Sequence, residues 1–375
     1  MARPSLYNLA TMNELLQEIS LHRRRAAAVR AATGLLALAL SVAGSAALAE
    51  GAPPSLNLPL DCVPGESCWI AKFVDLDPGP GVRDYSCHGR ANDGHTGIDI
   101  AVRDLRAMDE GVAVLAAAPG TVLRTRDGMR DISARELGPE MLKGGECGNG
   151  VVIDHGNGWE TQYCHMRQGS IAVKPGDHVD AGQKLGLVGM SGSSEYPHLH
   201  VMARYNKKII DPFVGLEDRS APDAKCGLGA APLWNQKTLA AFAYVPASIY
   251  NIGFAAERPN EADVDKGRFR ETNFADTAPV LIFWAEIFGV EKGDVLHMRM
   301  TGPNGQVLID QNVPIPDRKA RWYQYVGKKR PGFGWPAGPY HGEVSVTRTE
   351  NGQSQSTART ADATVGIATA PPPAK

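Results

Sequence analysis

Pro197-His198-Leu199-His200 opens a run, Val201-Met202-Ala203-Arg204-Tyr205, that reads as a β-strand with a proline at its start. Histidines at i and i+2 of a strand leave the same face, roughly 6 to 7 Å apart at about 3.3 Å per residue, whereas on a helix they diverge. One of them can therefore bind a metal ion while the other faces whatever that ion binds. Two further stretches complete the set, His95-Thr96-Gly97-Ile98-Asp99 and Tyr163-Cys164-His165. A catalytic zinc takes three protein ligands and keeps one position for water, and His95, Asp99 and one of His198 or His200 supply three donors of the right kind. Gly97, with the β-branched Thr96 and Ile98, argues against a helix between His95 and Asp99. On a straight strand the pair would stand about 13 Å apart, too far for one ion, so the backbone must bend at Gly97. The aspartate would leave such a site with a net charge of roughly +1, enough to acidify a bound water or polarise a carbonyl.

Around these motifs the chain reads as short strands. Gly111 to Ala116, Gly120 to Arg124, Val173 to Val179 and Gly182 to Gly189 are strand-like runs between glycine turns, and Val151 to Asp154 turns through His155-Gly-Asn-Gly158 into Trp159 to Tyr163. Residues 127–147 interrupt them as a polar insertion with a helical turn near Ser133 to Leu142. With 375 residues, 43% hydrophobic and 21% charged, the chain can bury two cores. Its 39 basic and 41 acidic residues give no overall attraction to nucleic acid or to an acidic membrane.

The first 49 residues read as an export signal. Arg23, Arg24, Arg25 and Arg30 form a basic region, Leu35 to Val42 is uncharged and apolar, and Ala47-Leu48-Ala49 suits a signal peptidase. Met12 offers an alternative start, and once the signal is removed no membrane span is expected. All six cysteines follow this segment, and an even number in an exported chain argues for disulfides. Cys62 and Cys68 bracket a turn, and Cys147 and Cys164 flank the hairpin, which leaves Cys87 for Cys226. That pairing speaks against Cys164 as a nucleophile. Gly189-Met190-Ser191-Gly192-Ser193 misses the nucleophile elbow at its last glycine. His155 belongs to the hairpin turn as a structural residue, His88 and His178 lie in loops, and Asp75, Asp77 and Asp84 read as a solvated loop.

Taken together, His95-x-Gly-x-Asp99, Tyr163-x-His165, the glycine-rich Val173 to Gly192 and His198-Leu-His200 resemble the lysostaphin-type zinc peptidases of bacterial cell walls, which include the β-lytic enzymes. The resemblance covers roughly Asp93 to Pro212. It implies an all-β class: an antiparallel β peptidase core of the duplicated hybrid motif type, with a metal-floored groove that cuts short peptides. Carried over by position, it implies that His95, Asp99 and His200 hold one zinc ion per chain, while His165 and His198 act on the water and the developing oxyanion. Val201-Met202 departs from the Phe-Glu usual in that family, a change expected to touch only strand packing. No H-E-x-x-H motif supplies a glutamate base, so the histidines must move the protons.

Beyond Pro212 the pattern changes. The expected organisation is a signal over 1–49, a zinc peptidase domain over 50–215, a linker over 216–245 with a short helix near Lys237 to Phe242, a C-terminal immunoglobulin-like β-sandwich over 246–350 and a disordered tail over 351–375. The sandwich rests on strand-like runs at Val280 to Ile287, Val295 to Met300, Gln306 to Asp310, Arg321 to Val326 and Tyr340 to Val346. The expected activity is zinc-dependent endopeptidase action on peptidoglycan peptides by an exported monomer, periplasmic or secreted. The alternative is a non-catalytic relative that binds peptidoglycan or activates another wall hydrolase; the filling of all five expected positions favours catalysis.

Overall fold

A computed structural model describes residues 52–366; the expected export segment lies outside them, as do residues 367–375. The first half forms ten strands: β1 Cys68–Lys72, β2 Ile98–Val102, β3 Ala113–Leu115, β4 Gly120–Arg126, β5 Asn149–Gly156, β6 Trp159–Met166, β7 His178–Val179, β8 Lys184–Leu187, β9 His198–Tyr205 and β10 Lys208–Ile210. Eight of them make one antiparallel sheet in the order β1-β2-β9-β6-β5-β4-β7, with β10 on β9, while β3 and β8 pair separately. The first six residues of β9 are buried, as suits a strand with neighbours on both sides. Its register sets His200 opposite Asp99 of β2 and opposite Cys164 of β6. The motifs far apart in sequence thus become neighbours on adjacent strands.

The β5–β6 hairpin closes on Asn157 and Gly158, both at positive φ (52° and 83°), the backbone that a two-residue type I′ turn requires. Trp159 and Tyr163, which follow it, are fully buried, each worth about 2–3 kcal/mol of apolar burial. The Ala117 amide donates to the Tyr163 hydroxyl (2.8 Å). Disulfides join Cys62 to Cys68, Cys147 to Cys164 and Cys87 to Cys226. The 127–147 insertion carries short helices at Ala134–Leu137 and Pro139–Leu142. Asp127 and Asp131 fasten it down by accepting from the amides of Gly169 (2.7 Å) and Met190 (2.7 Å).

The second half contains β11 Ser248–Ala255, β12 Asn273–Ala275, β13 Val280–Val290, β14 Val295–Thr301, β15 Val307–Pro314, β16 Lys319–Lys329, β17 Gly338–Glu350 and β18 Gln353–Gly366. One sheet is β11-β13-β16 and the other β12-β18-β17-β14-β15. Phe283 and Ile287 from the first sheet meet Met298, Val344 and Val365 from the second in one core. The two sheets share one core, with consecutive strands divided between them, as in a β-sandwich.

Three expectations need correction. The expected linker is built into the first core: Leu233, Trp234 and Phe242 are buried there, and Asn235 caps the helix Gln236–Ala241. The expected tail forms β18, paired with β17 from Gly338↔Val365 to Glu350↔Gln353. Ala363 and Val365 point into the core, while Ser354, Ser356, Thr360 and Thr364 face outward, which hides the strand in a polar composition. Asp84, expected in solvent, is buried because it accepts from the amides of Ser86, His88 and Arg90 and from the Tyr244 hydroxyl. Among the described residues no helix is long and apolar enough to cross a membrane.

Candidate metal centre and groove

The chain bends at Gly97, just before β2, and this brings His95 back beside Asp99. A Cβ at residue 97 would lie 2.6 Å from both His200 Nε2 and the Val201 carbonyl, so the close approach of His200 requires glycine there. His95 Nε2 stands 3.1 Å from Asp99 Oδ1, and His200 Nδ1 stands 2.8 Å from the same oxygen. Donor atoms of these three residues all lie within 4.8 Å of one another.

The orientation of the His95, His165 and His198 rings follows from the other nitrogen of each. His95 Nδ1 donates to the Phe73 carbonyl (2.6 Å), which leaves the Nε2 lone pair free. His165 Nδ1 donates to the Ser191 carbonyl (2.8 Å) and His198 Nδ1 to the Tyr196 carbonyl (2.9 Å), so their Nε2 atoms carry the lone pairs. His198 Nε2 lies 3.4 Å from Asp99 Oδ1. The His165 and His198 ring centres are 4.7 Å apart. His165 itself sits at φ 60°, a left-handed conformation that few side-chain-bearing residues adopt. It is held there by its amide donating to the Cys147 carbonyl (2.7 Å), by its carbonyl accepting from Gly189 (3.0 Å), and by the disulfide at its neighbour Cys164.

Burial alone would push the Asp99 carboxyl up, but the surrounding imidazoles, His95 and His198 foremost, hold it well below the usual carboxylate range. Burial likewise pulls His95 down, and the Asp99 charge and hydrogen bonds outweigh it to give a net rise. His165 falls well below its ordinary value through burial and the neighbouring His198 and His200. His200 is also lowered, by burial. Two buried imidazole nitrogens and one ionised carboxylate form a donor set that fits zinc.

These residues floor an open groove of about 720 Å³ walled by Asn92 to Thr96, Ala134, Glu146, Glu195 and Tyr196. Lys72 lines it too, its ammonium 3.8 Å from Asp99 Oδ2. Met202, where the resembled family has glutamate, also faces this groove. A separate cavity of about 450 Å³, bounded by Asp75 and by Lys208 to Ser220, holds none of the site histidines. Sequence reasoning passed over Lys72, Tyr196 and Ser194, whose Oγ lies 3.2 Å from His198 Nδ1. Only Tyr196, two residues before His198, carried a local signal. His155 is structural in its surroundings, bonded to the Pro119 carbonyl and to Thr161.

A buried His/Asp/His donor set beneath a groove, with two more imidazoles beside it, defines the class of site used for metal-assisted hydrolysis. Residues 93–212 match peptidase family M23, and this stretch is an M23 peptidase domain. The DD-carboxypeptidase/endopeptidase Mpg of Neisseria meningitidis serogroup B is 37% identical over 118 residues, which is 32% of this chain and 22% of that protein. The peptidoglycan DD-endopeptidase ShyA of Vibrio cholerae is 35% identical over 106 residues, 28% of this chain and 19% of that one. Among solved structures, the catalytic domain of the prophage-encoded M23 protein EnpA from Enterococcus faecalis aligns at 26% identity over 43% of this chain and 94% of that one, with a TM-score of 0.27. The chain spans about a quarter or less of the length of the curated relatives it matches.

Proposed function

We propose that the chain is an exported zinc endopeptidase, periplasmic or secreted, that hydrolyses amide bonds in the peptide cross-links of peptidoglycan. The observation that carries this reading is the convergence of donor atoms from His95, Asp99 and His200 within 4.8 Å at the floor of a groove that His165 and His198 also line. One zinc ion would be held by His95 Nε2, an Asp99 oxygen and His200 Nδ1. Bound there, it would supply Lewis acidity toward the scissile carbonyl and the attacking water. His165 and His198 are assigned the protons. A neutral imidazole takes one from the attacking water and returns one to the amide nitrogen as the C–N bond breaks. Burial keeps His165 neutral at pH 7 and so ready to accept.

The groove volume suits a short extended peptide. The test is mass spectrometry of fragments released from purified peptidoglycan, with and without a zinc chelator. Chelator-sensitive cleavage inside the peptide cross-links is expected. Intact peptidoglycan in the presence of the zinc-loaded protein would favour the binding or activating alternative.

A further inference from the structure

Two chains of contact run from the second lobe to the histidines of the groove. The first begins at Arg321 of β16, which pairs with the buried Glu286 of β13 and with Asp265, and whose Nε donates to the Tyr250 hydroxyl (2.6 Å). Tyr250 stacks on Phe288 of β13, with ring centres 4.0 Å apart. Phe288 packs at 5.4 Å on Tyr196, and the Tyr196 ring lies 4.7 Å from that of His198 while its carbonyl holds His198 Nδ1. These rings form a cluster with Trp69, Ala71 and Ala101 that is continuous across both lobes.

The second chain reaches His95. The buried Arg90 donates to the Val245 carbonyl (2.8 Å) and to Ser248 Oγ of β11 (2.9 Å), and its guanidinium covers the Phe73 ring at 5.2 Å. The Phe73 carbonyl is the acceptor that orients His95. Arg318, just before β16, donates to the carbonyls of Gly89 and Ala91 and so fixes the strand of chain that leads into the His95 loop. The junction is tight: a Cβ at Gly289 would lie 2.8 Å from the Arg90 side chain.

We infer that the C-terminal lobe is a positioning element of the groove, with Phe288 acting on His198 through Tyr196, and Arg318 acting on His95 through residues 89–91. This rests on the endopeptidase reading for its catalytic consequence but not for its geometry. A side chain that holds the partner of a working histidine sets the tautomer and aim of that ring, and loss of such a partner commonly weakens metal affinity or activity about 10- to 100-fold.

The experiment uses the full chain carrying Phe288→Ala, Phe288→Leu or Arg318→Ala, with Val344→Ala, in the far core of the same lobe, as a control of stability alone. Phe288→Ala is expected to lower kcat about tenfold or more with little change in KM or zinc content, Phe288→Leu to recover most of it, and Val344→Ala to leave kcat unchanged even where its Tm falls as far. Arg318→Ala is expected to weaken zinc binding, measured by chelator competition, about tenfold. Ring nitrogen NMR of the metal-free protein gives a readout independent of turnover: His198 is held with its proton on Nδ1 in the parent and becomes a tautomer mixture in Phe288→Ala. If the parent cuts no peptidoglycan and this NMR change still appears, the endopeptidase reading fails while the positioning role stands. An unchanged His198 signal with parental kcat in Phe288→Ala, or an equal loss of kcat in Val344→Ala, overturns the inference.

Discussion

Among the described residues, two groups of side chains bring histidine and carboxylate donors within reach of one ion: His95, Asp99 and His200 in the groove, and His88, Glu291 and Glu350 at the junction of the lobes. By proximity they are alike. In the first, every member is largely buried, and the bond made by the other ring nitrogen leaves His95 Nε2 free toward the others. In the second, Glu350 is nearly half exposed, and Glu291 already accepts from the Gly89 amide (3.1 Å) and pairs with Arg348 (3.3 Å). Closeness of ligand types alone therefore does not tell the two groups apart. Donors must be left free by the bonds around them and be shielded from water.

The largest effect that should separate the two groups is loss of the ion itself. His200→Ala is expected to lose both stoichiometric zinc and all measurable turnover, read by metal analysis and peptidoglycan digestion; retention of zinc would break the ligand assignment. His165→Ala should keep zinc and lose turnover about 10²- to 10⁴-fold, the range of a missing acid–base group.

Burial can also be separated from partnership at Asp211. This carboxylate is buried like Asp99, but its Oδ2 has no partner, and burial pushes it up to about 7 from an ordinary 3.8. The folded state then keeps a proton that the unfolded chain releases, so the contribution of Asp211 to stability is fully present below pH 3.8 and is lost as pH rises through about 7. The loss is on the order of 4 kcal/mol. Asp211→Asn, which keeps an oxygen for the Phe213 amide, should flatten that slope in urea unfolding at pH 5 and pH 8. An unchanged slope would show that water reaches Asp211.

Gly97→Ala tests the close approach directly. Its Cβ displaces His200, and zinc affinity should fall about 10- to 100-fold, while affinity equal to the parent would mean that the loop yields freely. The smallest effect belongs to the second group: Glu350→Gln should leave one zinc per chain and shift stability by no more than about 0.5 kcal/mol in chemical denaturation. A drop in metal content would make the two groups equivalent after all.

The groove residues were legible because each motif is local and chemically unusual. His95 and Asp99 flank a glycine that lets His200 approach closely, and His198 and His200 alternate on a strand. The Asn157-Gly158 turn and the pairs Cys62–Cys68 and Cys147–Cys164 follow from equally local rules, and Cys87–Cys226 follows by elimination. What escaped reading depends on distant partners. β18 is rich in Ser, Thr and Ala and shows its strand character only through its register with β17. Trp234 and Phe242 looked like connector residues until their core was present. The Phe288–Tyr196 contact joins positions with no common motif. Asp84 reads as solvated because its partners are three backbone amides, which carry no sequence signal, and the hydroxyl of the distant Tyr244.

The comparison of the two ligand groups is settled most directly by a crystal structure of the zinc-loaded protein with anomalous data collected at the zinc edge. A single anomalous peak is predicted among His95 Nε2, Asp99 and His200 Nδ1, with ligand distances of about 2.0–2.2 Å. A peak among His88, Glu291 and Glu350 alone, or none at the groove floor, would contradict it.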